Sequence, residues 1–379
     1  MFKVLIWDYT GISAQWLNQI ADKKYIEVVG TIKPKEHVPD IFLQPNAWDW
    51  LLIFEQGMRD FFDKIIRISK LPPDKVIYAL DMKSWLQHPK AAFALNDMGT
   101  DIFFNLYFEI NRQLNNYVTC TVEGISYISL SKYGGLMRDM CTRRVNWAAE
   151  DMKRFHALAK KYYAVVDSAG CFLDIGANIG TTGIYFIKKL APNLKLLAFE
   201  PTVETFKTLR LNVILNNLEN RTTLFNCGLG DKKDEMTMYI SKGSPGGNRV
   251  LKTHTNWPTE TIKILPLDSC LAEKKIAAQD VKYIWIDTEG FEAQVLLGAK
   301  NLLRENPAPV FMECNLGAWD KSGHFEDMMT LLAESYSHFV HVQFGDTVYP
   351  LDALRTMERP NNSLGQLGDI FLIRKGAIE

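Results

Sequence analysis

In four places this 379-residue sequence sets acids and small residues at the ends of apolar runs, where chemistry could be done. The first is Phe172-Leu173-Asp174-Ile175-Gly176-Ala177-Asn178-Ile179-Gly180-Thr181-Thr182-Gly183, which reads as a buried strand ending in an acid and turning into a helix. Small residues in such a turn let backbone bend sharply and approach a ligand closely. The second is Glu200 in Ala198-Phe199-Glu200-Pro201, at 200 − 176 = 24 residues beyond the first loop glycine. The third is Phe225-Asn226-Cys227-Gly228-Leu229-Gly230-Asp231, and the fourth is Ile284-Trp285-Ile286-Asp287-Thr288-Glu289-Gly290-Phe291-Glu292.

The glycines at 176, 180 and 183 follow G-x-x-x-G-x-x-G rather than the G-x-G-x-x-G of a dinucleotide loop, and Asp174 precedes them. Pyrophosphate is held by helix N-terminal amides and is disfavoured by a neighbouring carboxylate. A ligand with an ammonium and a sulfonium is attracted by one. The loop therefore favours S-adenosylmethionine over NAD, although strand-to-helix packing alone would also use its glycines. Glu200 stands at the offset where an acid at a second strand's tip accepts hydrogen bonds from ribose hydroxyls. The small residues of the third segment would admit an adenine ring whose edge Asn226 or a backbone group could meet; an ordinary glycine turn is the alternative. Asp287 and Glu289 suit a base that helps deprotonate a hydroxyl, with Glu313 at the next strand's end and His324 in the following loop behind them. For Glu292 a helix-capping role is equally open. The loop Gly243 to Arg249 reads as a plain hairpin connection, or as a border of the acceptor site at which Arg249 would meet an anionic group.

The elements that must carry these residues alternate between strand and helix. From Cys171 onward seven strand-like runs (CFLDIG, LKLLAFE, TTLFNCG, YIWID, PVFMECN, FVHVQF and DIFLI) are interleaved with helical patterns, and two shorter runs, MTMYI and TIKILPL, lie between them. This order predicts a doubly wound sheet closed by an antiparallel hairpin. FEAQVLLGAKNLL reads as one helix. A smaller α/β domain comes first, with runs KVLIW, YIEVVG, WLLIFE and VIYAL, a helix through Ile20 and another from Met58 to Ser69. Its first turn holds one glycine, Gly11, where a dinucleotide loop needs several. The boundary is placed near Asn115-Asn116, giving domains 1–115 and 116–379, the first a degenerate Rossmann-like domain of open role. Lys plus Arg is 43 against 44 Asp plus Glu, for a formal net charge of −1, so no global field directs the chain to nucleic acid. No run reaches the 18 uncharged apolar residues of a membrane span. Six scattered cysteines without a C-x-x-C pair read as reduced structural thiols of a cytoplasmic protein, and no metal site is expected.

Taken together, FLDIGANIG, AFEP with a following helix ending LNNL, LPLD at Leu265 to Asp268, and IDTEGFEAQVLLGA resemble the FkbM-type methyltransferases over about Tyr127 to Lys375. The resemblance implies a Rossmann-like methyltransferase domain that uses S-adenosylmethionine. It puts Gly176, Asn178, Glu200 and the Asn226 region at cofactor positions, with Asp174 and Gly180 in the same loop, and Asp287 with Glu289 on the cofactor and acceptor side. It also implies O-methylation of a sugar, glycan or secondary-metabolite hydroxyl, with a small-molecule or glycan acceptor as partner and homo-oligomers compatible. Trp285 departs from the family's usual lysine, and the first domain is an addition. Two rival functions are an NAD-dependent sugar-nucleotide oxidoreductase or epimerase, and a non-catalytic cofactor-binding module.

Overall fold

The computed structural model describes residues 2–8, 26–33, 44, 46–55, 59–72, 75–78, 117–130, 134–163, 169–241, 245–250, 256–342, 345, 347–360 and 366–378. The chain forms two compact units. Unit one comprises Met1–Val118 with Leu130–Gly134 and Cys141–Arg143, and unit two the remainder. The turn at Gly11, the helix expected through Ile20, the Asn115-Asn116 boundary, and Gly243 with Ser244 lie outside the described residues.

In unit one, β1 (Phe2–Asp8), β2 (Ile26–Ile32), β3 (Trp50–Phe54) and β4 (Val76–Tyr78) pair in parallel in the order β2-β1-β3-β4. The helix α1 (Arg59–Ile68) lies between β3 and β4 in sequence. Its Phe62 and Ile66, four residues apart and so on one face, join Leu5, Trp7, Leu51 and Ile53 in a single apolar core. Trp7 meets Phe62 edge to face, with centroids 5.0 Å apart.

The strands β5 (Tyr117–Val122) and β6 (Ile125–Leu130) pair with each other. In unit two, β7 (Gly170–Ile175), β8 (Leu194–Phe199), β9 (Thr222–Phe225), β13 (Val281–Ile286), β14 (Val310–Asn315), β15 (Tyr336–His341), β16 (Val348–Pro350) and β17 (Gln366–Arg374) form one sheet. Its order is β16-β15-β17-β14-β13-β7-β8-β9, eight strands rather than the seven expected; the addition is the three-residue edge strand β16. Neighbours from β9 to β14 run parallel, and β17 lies antiparallel between β14 and β15. The near-continuous apolar runs of β7, β8 and β13 follow from burial on both sheet faces. Phe155, on α2 (Ala149–Tyr163), packs among Phe172, Tyr283, Trp285, Phe311 and Phe371. Trp285 stacks on Phe311 at 4.3 Å, so the residue that departs from the family pattern is core material.

The two shorter runs do not join the large sheet. They form β11 (Asp234–Tyr239) and β12 (Thr259–Leu265), paired antiparallel, with the two-residue β10 (Gly228–Leu229) parallel on the other side of β12. The single helix expected from Phe291 to Leu303 is two, α3 (Glu292–Leu297) and α4 (Lys300–Glu305). They part at Gly298, where a Cβ would lie 2.0 Å from the Gly230 carbonyl oxygen. Among the described residues no helix is long and apolar enough to cross a membrane. Cys120 is in a disulfide, which corrects the reading of all six cysteines as reduced; Cys171, Cys227, Cys270 and Cys314 are free.

Candidate active site

Parallel strands bring the segments after β7, β8, β9 and β13 to one carboxyl edge, the place where open α/β sheets bind ligands. The tips are tied by backbone: Gly176 and Ala177 donate to the Phe199 carbonyl, Glu200 to that of Phe225, and Asp287 to that of Ile175. Between them opens a cleft of 680 Å³, counting its mouth, lined by Gly176, Asn178, Glu200, Cys227, Asp287 and Glu289 among others. Its apolar wall is Met238, Ile262 and Ile264 of the small sheet, with Phe291.

The glycine loop is shaped from beneath. Asp174 is fully buried and accepts hydrogen bonds from Thr182 Oγ1 (2.7 and 2.9 Å) and the Gly183 amide (2.8 Å). Burial raises its pKa to about 6 against the pull of those donors. Asp174 is not among the residues that line the cleft, and its carboxylate pins the loop to the following helix. Gly180 (φ +90°) likewise shapes the turn behind the cleft wall. Gly176 has φ +85°, and a Cβ there would stand 1.8 Å from the Asp287 carbonyl oxygen, so only glycine allows the tips of β7 and β13 to approach. Asn178 takes φ +50° and donates its amide to Glu200 Oε2 at 3.1 Å. Its buried Oδ1 has no hydrogen-bond partner.

Glu200 lines the cleft with little exposure. Its Oε1 accepts from the Thr202 amide (3.0 Å) and Oγ1 (2.6 Å). Burial pushes its pKa up to about 7. Asn226 is exposed, is not among the residues that line the cleft, and donates to the carbonyls of Glu200 and Pro201, each at 3.0 Å. It fixes the turn that carries Glu200, while Cys227, Gly228 and Leu229 supply the wall in that region.

Carboxylate oxygens of Asp287, Glu289 and Glu313 lie within 4.8 Å of one another. Burial raises the pKa of all three, and mutual repulsion adds to it for Asp287 and Glu313. The spacing would admit a cation, but the charge partner the chain itself supplies is Arg249, whose Nη2 is 3.0 Å from Glu289 Oε2. Glu289 holds φ +54° beside Gly290 at φ +102°, the tight turn that aims its side chain there. Glu292 is fully buried and structural. It accepts from the Thr288 amide and hydroxyl and the Gly290 amide on one oxygen, and from Trp319 Nε1 and Asn315 Nδ2 on the other. Glu313 also accepts from Asn315 and Gln366. His324 sits at the N-cap of α5 (Phe325–Ser335) and is not among the residues that line the cleft. The sequence reading missed the cleft wall formed by β12, though the alternation of Ile262 and Ile264 signals one buried face, and it did not pair Arg249 with Glu289.

Residues 174–338 match the Methyltransferase FkbM domain. Over these residues the chain is similar to the FkbM methyltransferases. Relatives agree: the chain is 27% identical over 195 residues to Methyltransferase 1 of Beauveria bassiana, covering 47% of this chain and 76% of that protein. It is 30% identical over 84 residues to Methyltransferase sdnD of Sordaria araneosa, covering 22% of this chain and 32% of that one. Among solved structures, the Methyltransferase FkbM of Methylobacillus flagellatus aligns over 98% of this chain and 90% of its own, at 14% identity and a TM-score of 0.35. The FkbM match begins at Asp174, the acid that anchors the loop, and contains every cleft acid described above.

Proposed function

We propose that this methyltransferase moves the methyl group of S-adenosylmethionine to a hydroxyl oxygen of a small-molecule acceptor, a sugar, glycan or secondary metabolite. The observation that carries the reading is one cleft lined by Glu200, Asp287 and Glu289 together. The residues present fit the cofactor. Asn178 Oδ1 is an unpartnered acceptor, and Met238, Ile262, Ile264 and Phe291 give an apolar wall for a flat base.

When bound, S-adenosylmethionine supplies a methyl group already activated by its sulfonium. Glu200 and Asn178 would hold the ribose and amino-acid portions, and the apolar wall excludes water from that end. Asp287 and Glu289 orient the acceptor hydroxyl and take its proton. A carboxylate whose pKa is raised is a stronger base, better matched to a proton held near neutral pH. Calorimetry with S-adenosylmethionine, S-adenosylhomocysteine and NAD tests the cofactor. For the base, Asp287→Asn and Glu289→Gln keep shape while removing charge. Either should lower turnover on a supported acceptor by about 10² to 10⁴-fold with little change in S-adenosylhomocysteine affinity. Full activity in both variants would place the base elsewhere.

A further inference from the structure

Arg249 is flanked in sequence by Asn248 and Val250, which both line the cleft. Its backbone pairs with Tyr239 in both directions, at 2.8 and 3.1 Å, so the segment is tied to the end of β11. Asn248 Oδ1 adds a second tie by accepting from the Ser241 amide at 2.9 Å. The guanidinium is itself held in place: Nε donates to the Gly247 carbonyl at 3.2 Å, and Cζ lies 5.8 Å from the centroid of the Trp257 ring. Its Nη2 meets Glu289 Oε2 at 3.0 Å, with the two side chains only 14% and 22% exposed. Burial of that degree sets the pair apart from solvated surface bridges, which salt screens and which contribute little.

The other two acids of the cluster have no such partner. Glu313 accepts from the neutral amides of Asn315 and Gln366, at 3.0 and 2.9 Å, and among the described residues no cation contacts either Glu313 or Asp287. Glu289 faces Arg249 and the Glu292 carboxylate. Asp287 faces the carboxylates of Glu289, Asp369, Glu292 and Asp174, and Glu313 faces those of Asp287, Glu292 and Glu289. Carboxylates this close resist ionising together, and a cation on one of them selects it. We propose that Arg249 is a positioning residue of the methyl-transfer site, acting through Glu289: it fixes that carboxylate and makes it the one that meets the acceptor hydroxyl as an anion. This rests on the reading of the cleft as that site. Burial raises the Glu289 carboxyl and the guanidinium pulls it back, so Glu289 is a stronger base than a solvated carboxylate and is charged before the acceptor arrives. The acceptor oxygen bonds the methyl carbon as its proton passes to Glu289, and the carbon–sulfur bond breaks with its electron pair staying on sulfur. Glu289 is then neutral beside Arg249 until its proton is lost to solvent.

The test treats the full chain with diazoacetamide, a small reagent that esterifies carboxyls carrying their proton, between about pH 5 and pH 9, and maps the esters by mass spectrometry. Glu289 and Asp287 both line the cleft, and the midpoint of Glu289 modification should lie at least about one pH unit below that of Asp287. In Arg249→Gln the Glu289 midpoint should rise by at least about one pH unit, and in Arg249→Lys, which keeps the charge without the planar fork, by less. Should Arg249→Gln not fold, the order of the two wild-type midpoints decides. Glu289 reacting together with Asp287, or an unmoved midpoint in a folded Arg249→Gln, would overturn the inference. On an acceptor that supports turnover, the rising limb of kcat in Arg249→Gln should move to higher pH by the same interval, with S-adenosylhomocysteine affinity within about threefold of wild type. A fall in kcat at every pH with the limb unmoved would make Arg249 a structural tie and overturn its positioning role. Failure of the wild-type chain to bind S-adenosylhomocysteine would instead overturn the reading of the cleft, whatever the two midpoints show.

Discussion

At the residue scale, the cleft works by burying acids whose charge a ligand then stabilises. Glu200 is the clearest example, since burial alone holds its carboxyl protonated up to about pH 7 while two elements already donate to it. In the empty protein the sign is that of a carboxyl raised above its unfolded value. Its contribution to stability is complete below the unfolded pKa and is lost as pH rises through about 7. Binding runs the other way, because ribose hydroxyls donate to the ionised form and pull its pKa down. Affinity for S-adenosylhomocysteine should therefore rise about tenfold between pH 6 and pH 8, one pKa unit being about 1.36 kcal/mol. Calorimetry in two buffers of different ionisation enthalpy should record proton release in that window. In Glu200→Gln the slope should flatten and the release fall away; an unaltered slope would assign the proton to another acid.

At the element scale, the decisive feature is how closely the tips of β7 and β13 approach, which Gly176 alone permits. Gly176→Ala adds a Cβ where the Asp287 carbonyl oxygen already stands, at a positive φ that L side chains avoid. It should cost at least about 2 kcal/mol of stability from strain and overpacking, read as a lower urea midpoint, and weaken S-adenosylhomocysteine binding. An unchanged midpoint would mean that the two tips are not in contact. Much of this architecture was legible beforehand, because each strand of the parallel sheet is a separate apolar run and each tip carries its own acid or glycine. What could not be read was direction. Asp174 and Asn226 have the right types at the right strand ends, yet their side chains turn to Thr182 and Gly183 and to the Glu200-Pro201 carbonyls. The break at Gly298 and the meeting of Arg249 with Glu289 depend on contacts between segments distant in sequence, which periodicity does not encode.

At the scale of the whole molecule, the question is which of two compact units receives a nucleotide cofactor, since both contain parallel strands with carboxyl edges. The acids, the unpartnered Asn178 oxygen and the cleft all belong to unit two. In unit one, by contrast, the first turn holds only Gly11. Hydrogen exchange with mass spectrometry distinguishes the two across the full chain. A ligand at 100 times its Kd disfavours any opening that must release it by about 2.7 kcal/mol, close to 100-fold slower exchange. S-Adenosylhomocysteine should slow amides in 175–183, 198–203, 225–230 and 286–291, where backbone groups at the strand tips depend on one another. The strands Phe2–Asp8 and Ile26–Ile32 should exchange as before. NAD at the same excess over the S-adenosylhomocysteine Kd should slow neither set. Protection of Phe2–Asp8 by NAD would restore a dinucleotide role to unit one, and protection of that strand by S-adenosylhomocysteine would move the cofactor out of the segment that matches the FkbM domain.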